Sequence, residues 1–164
     1  MTTSTAVTAV KAYWMSGIGH CNSAEIIHHY LTTNNIQRSD STWVALQSII
    51  GFGAENALKA YLASADMTRD ALLKKPFGHN LRNLLNEAKV RGLNAYAVDS
   101  GRPQLITELE KFISLCGDDY QSFNYRYIEG DGVTLLGAGS STDNVIRCLQ
   151  HLLNIVESKA GLSF

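Results

Sequence analysis

From Trp43 to Ala65 apolar side chains return every three or four positions, at Trp43, Leu46, Ile50, Ala54, Ala57, Tyr61 and Ala65. That period is the one an α-helix needs to bury a face, whereas a strand would need strict alternation. Ser39-Asp40-Ser41-Thr42 offers capping oxygens at its start. Gly51 and Gly53 fall inside the run. Each costs about 1 kcal/mol against alanine in an exposed helix, so close approach of a neighbouring helix is predicted there. The same period recurs at Leu81, Leu84, Leu85 and Ala88, at Leu105, Ile106, Leu109, Phe112, Ile113 and Cys116, and at Val145, Leu149, Leu152, Leu153 and Val156. The chain is therefore expected to be all-α, an up-and-down helical bundle. Its core is predicted to hold Trp43, Leu46, Ile50, Leu81, Leu84, Leu85, Leu109, Phe112, Leu149 and Leu152.

Punctuation between these runs sets the remaining boundaries. Ala6 to Met15 is helix-compatible but is followed by Gly17 and Gly19, and Asn22-Ser23 then predicts a fresh cap. The helix beyond it carries Ile26, Ile27, Tyr30 and Leu31 and ends at Asn34-Asn35. Lys74 to Gly78 reads as a turn, and Lys89, Arg91 and Gly92 form a basic last turn with a glycine stop. Gly101-Arg102-Pro103 opens the next helix. Phe123 to Leu136 alternates, is rich in aromatics and is split by Glu129-Gly130-Asp131-Gly132. This predicts a small β-hairpin or structured loop over about 123–137. Ser140 to Asp143 then caps a last helix over about 142–159. With no repeat, low-complexity tract or linker, residues 1–164 are expected to form a single domain.

Apolar residues make up 45% of the chain and charged residues 18%, with a net charge of −1. That balance excludes a protein that coats nucleic acid by bulk charge. No apolar run approaches the roughly 20 residues that span a bilayer, and the N-terminus lacks the pattern of a secretory signal. Cys21, Cys116 and Cys148 are widely spaced and odd in number. Reduced thiols and a cytoplasmic, non-membrane location are the expectation. The charge is uneven: residues 69–102 carry +4 and the remainder −5. Arg69, Lys74, Lys75, Arg82, Lys89, Arg91 and Arg102 are opposed only by Asp70, Glu87 and Asp99 there; the ordinary outcome of such a run is a solvated face balanced by acidic helices, and the sharper reading is a local anion-binding surface.

Two motifs lie within these helices. Glu55-Asn-Ala-Leu-Lys59 has the form E-x-x-x-K, with glutamate N-terminal in the favourable order for a helix ion pair. Gly78-His79-Asn80-Leu81-Arg82-Asn-Leu-Leu85 has the form H-[N/D]-L-x-x-L at a helix start. In that order and spacing the pair resembles the paired-helix signature of HEPN domains, small helical proteins whose name records a proposed nucleotide-binding role. The resemblance covers about residues 39–92, and Arg126-Tyr127 is similar to an R-Y dipeptide that often follows these helices. It implies a HEPN-like bundle that pairs as a homodimer and binds a nucleotide, RNA or a cognate protein partner. The implied setting is a stress, defence or toxin–antitoxin-like system. Lys59, His79, Arg82 and Lys75 become the ligand-binding candidates, expected to line one positive concavity at the start of the His79 helix. Glu55, Asn80 and Arg126 become the structural motif residues, and Gly51, Gly53 and Ala54 the small residues of a dimer face.

Catalytic HEPN members carry R-x(4–6)-H for metal-independent RNA cleavage, the histidine activating a ribose hydroxyl and the arginine stabilising the phosphate. The nearest approach here is Arg147-Cys-Leu-Gln-His151, one residue short. On a helix it sets Arg147, His151 and Asn154 on one face. A non-catalytic binding domain is therefore expected. A ribonuclease with a degenerate Arg147/His151 site and a purely structural homodimerisation module are the alternatives. Neither cofactor nor metal is expected. Glu25-Ile-Ile-His28 is the only E-x-x-H, so a di-metal bundle lacks its second half. His20, Cys21 and His29 match no zinc spacing, and ordinary, partly exposed histidines are predicted. Gly137 to Thr142 lacks the third glycine or the lysine of a phosphate loop and reads as a flexible loop and cap.

Overall fold

The computed structural model describes residues 3–122, 135–137 and 140–162. They form α1 (Thr3–Thr33), α2 (Ser41–Ser64), α3 (Arg69–Leu73), α4 (Leu81–Val90), α5 (Leu93–Asp99), α6 (Leu105–Gln121) and α7 (Ser140–Ala160). Among the described residues there is no strand. The hairpin predicted over 123–137 lies outside the described residues except at 135–137, which have no regular structure. Arg126 also lies outside them. No helix among the described residues is long and apolar enough to cross a membrane.

α1 departs from the sequence reading. It runs unbroken through Gly17, Gly19 and Asn22-Ser23, where a break and a new cap are predicted. Tertiary packing outweighs local propensity here. A Cβ on Gly17 would lie 2.7 Å from Leu153 Cδ2 and 3.5 Å from the Ala57 amide nitrogen, so glycine lets α1 approach both α7 and α2. Ser23 Oγ donates back to the Gly19 carbonyl at 2.8 Å instead of capping a new helix.

α2 is the central helix, touching α1, α4, α6 and α7. Asp40 caps it, accepting from the Thr42 amide at 2.8 Å. Its second half is buried on every side, Ala57 to Ala63 without interruption, so it is more than a one-faced amphipathic helix. All ten residues predicted for the core are buried in one cluster. Gly51, Gly53 and Ala54 are buried within the chain, which removes them as a dimer face. A Cβ on Gly51 would overlap the Tyr120 ring, and one on Gly53 would lie 3.4 Å from Cys21 Sγ. The close approach they permit is to helices of their own chain.

α4 starts as its motif predicts. Asn80 takes the N-cap, its side chain accepting from the Asn83 amide at 2.9 Å. Leu81 and Leu84 then point into the core, 1% and 0% exposed. Gly92 ends the segment at φ +88°, a left-handed conformation that glycine adopts without steric penalty.

Candidate functional site

The two motifs meet on a single buried carboxylate. Glu55 sits mid-way along α2 and is 5% exposed. One of its oxygens, Oε1, accepts from Lys59 Nζ at 2.6 Å, one helical turn on. The other, Oε2, accepts from the Tyr120 hydroxyl at 2.5 Å and lies 2.8 Å from His79 Nδ1. A carboxylate can only accept, so the proton of the His79 pair resides on Nδ1. The order H-N-L leading into α4 is thereby explained: the histidine reaches Glu55, the asparagine caps, and the leucine enters the core.

Burial alone would raise the Glu55 pKa. The hydrogen bonds from Lys59, Tyr120 and His79, with the Lys59 charge, overcome burial and hold it below the ordinary glutamate value. Lys59 is itself 2% exposed, with its ammonium 5.9 Å from the centre of the Tyr13 ring. A buried ammonium spent on a buried carboxylate is not a surface group for an incoming phosphate.

The four ligand candidates therefore separate. Lys59 is interior, while His79 is half exposed at the edge of the Glu55 cluster. Arg82 points outward with Nη2 3.8 Å from Asp118 Oδ1, and its side chain is 61% exposed. Lys75 is exposed in the turn ahead of α4. Arg69 and Lys74, at α3 and its C-cap, are exposed as well. The structure thus joins Lys59 and the half-exposed His79 on the buried Glu55 carboxylate and leaves Arg69, Lys74, Lys75 and Arg82 exposed along α3, the turn into α4 and the first turn of α4.

Tyr120 carries no motif and was not legible as a partner of Glu55. The signal lies across the fold, in Gly51, one turn before Glu55. Without a side chain there, the Tyr120 ring lies against α2 and its hydroxyl reaches the carboxylate. Phe52 supports the ring edge-on, with ring centres 5.5 Å apart.

Arg147 and His151 share the outer face of α7, as their spacing requires. His151 lines a cavity of about 530 Å³ with Arg102, Asn154 and Lys159, and Arg147 does not. Burial, then the Arg102 charge, hold the His151 pKa below its ordinary value, so the ring is mainly neutral at pH 7.

The E-x-x-H residues also diverge. Glu25 is exposed and accepts from Gln150 Nε2 at 3.2 Å. His28 is buried, contrary to the partly exposed state predicted for it, with Nδ1 2.9 Å from Asp143 Oδ1 and its ring edge-on to Trp43. The pairing depends on where α7 begins against α1, which no local pattern encodes. Gly137 is tied to the start of α7 by Thr142 Oγ1, which donates to its carbonyl at 2.9 Å. All three cysteines are buried and none is in a disulfide, and burial pushes the Cys21 and Cys148 thiols up to about 12, so neither of these two is an accessible nucleophile. Among the described residues no group of three or more His, Cys, Asp or Glu side chains is placed to hold a metal ion. The chain matches no protein-family model, no curated protein and no solved structure.

Proposed function

We propose that this chain is a non-catalytic HEPN-like domain that binds RNA at the corner where α3 meets α4. The observation carrying this reading is the set of exposed cations there. Arg69, Lys74, Lys75 and Arg82 lie within 14 positions of one another in the sequence and are all exposed. Their only described ion pair is the long one between Arg82 and Asp118. The N-terminus of α4 adds partial positive charge beside them. Phosphates are recognised by such a surface without sequence preference. The resemblance to HEPN domains supports the same reading and supplies its setting, a stress, defence or toxin–antitoxin-like system. The Glu55 network supports it from the other side: the motif residues are spent on holding α2, α4 and α6 together, which suits a binding scaffold.

The test is filter binding of single-stranded RNA across a salt series. Wild-type protein binds at low salt and releases steeply as salt rises, since each neutralised phosphate frees counterions. Replacing Lys74, Lys75 and Arg82 with Gln weakens binding and reduces the log–log salt slope by about 2. Failure of the wild type to retain RNA at low salt defeats this reading and favours a protein partner.

A further inference from the structure

A second positively charged site lies away from the α3–α4 corner. The cavity of about 530 Å³ between α5 and α7 is lined by Tyr96, Asp99, Arg102, His151, Asn154 and Lys159, among others. Its volume is in the range of small-ligand sites. Two permanent cations face one carboxylate, because His151 is mainly neutral at pH 7. Neither cation has a carboxylate within ion-pair distance among the described residues, Asp99 included. The Lys159 ammonium donates to the Tyr96 hydroxyl at 3.2 Å and lies 4.6 Å from the centre of that ring. It is thus held at the cavity wall by a neutral partner, with further N–H groups to give. Arg102, in the turn between α5 and α6, brings a planar fork of donors whose guanidinium has no hydrogen-bond acceptor among the described residues.

From this arrangement we infer that the α5–α7 cavity is a binding site for a small phosphomonoester. A phosphate dianion matches the charge of the Arg102–Lys159 pair, and its three terminal oxygens match a guanidinium fork plus an ammonium. The Asn154 amide adds neutral donors at the same wall. The rest of the ligand lies along the Tyr96 face. The observations here are independent of the RNA reading, and the two sites share no residue.

Isothermal titration calorimetry of the full chain with AMP, ribose 5-phosphate and inorganic phosphate tests this, with adenosine as control. The expected result is binding of AMP or ribose 5-phosphate and none of adenosine. Arg102→Gln and Lys159→Gln each weaken that binding by about tenfold, the scale of one charge-assisted hydrogen bond. Asp99→Asn tightens it, because the one opposing charge is removed, a gain that misfolding cannot imitate. The Lys74/Lys75/Arg82→Gln protein binds as wild type, which separates this site from the RNA surface. Inorganic phosphate alone binding, adenosine binding as well as AMP, or affinity unchanged in Arg102→Gln and Lys159→Gln would each overturn the inference.

Discussion

Glu55 draws three donors onto two oxygens while nearly dry, so its charge is stabilised by specific bonds against the cost of burial. Its folded pKa lies below the ordinary value of about 4.3. A depressed carboxyl contributes stability that is fully present above the unfolded pKa and lost as pH falls through the folded one. Glu55→Gln removes that acid-side loss and leaves the Lys59 ammonium buried without its counter-charge. Urea denaturation at neutral pH is expected to show a loss of about 3–5 kcal/mol, the usual cost of breaking a buried ion pair from one side. Adding Lys59→Met to Glu55→Gln is expected to recover part of it, since the stranded charge is then gone. A double variant less stable than Glu55→Gln alone would show that the ammonium has other support.

At the scale of elements, three glycines in helix interiors have different reasons to be there. Gly17 and Gly51 are pressed against Leu153 and Tyr120, whereas a Cβ on Gly19 would meet nothing within 4 Å. Alanine at position 19 therefore gains helix propensity with no clash, and Gly19→Ala is expected to stabilise the protein by about 0.5–1 kcal/mol. Gly51→Ala forces the Tyr120 ring away from α2 and withdraws its hydroxyl from Glu55. The expected loss is about 1–3 kcal/mol, the range for overpacking a core. Thermal unfolding of the two variants side by side checks the contrast in sign. Equal effects at the two positions would mean that α6 yields easily to an added methyl group.

At the scale of the whole molecule, the one buried cation among the described residues, Lys59, is neutralised by Glu55 and the usable positive charge is peripheral. The same separation bears on catalysis. General acid–base assistance is worth roughly 10²–10⁴-fold only when the group stands at the reacting atom. His151 and Arg147 share a helix face, but Arg147 does not line the cavity that His151 lines with Arg102 and Lys159, and the Arg102 charge acts on the imidazole. Purified protein is expected to leave structured and unstructured RNA intact on prolonged incubation, with no difference in a His151→Ala control. Cleavage that disappears in the control would restore the ribonuclease alternative.

Helix type, most helix ends and the ten core positions were readable from sequence because each rests on contacts within a few residues: apolar period, capping oxygens, a glycine stop. The Glu55–Lys59 pair belongs with them, being one turn of one helix. Continuity of α1 through Gly17 could not be read, since the packing that holds it comes from Leu153 and Ala57, far along the chain. α3 and α5 were also missed, helices of five and seven residues too short to show a period. Tertiary structure alone decided that Tyr120 completes the Glu55 cluster, that His28 meets Asp143, and that Lys59 faces inward while Arg102 and Lys159 share a cavity wall. Sequence fixes which face of a helix is apolar. Which neighbour covers that face, and therefore whether a charge ends buried or free, is settled only when the helices pack.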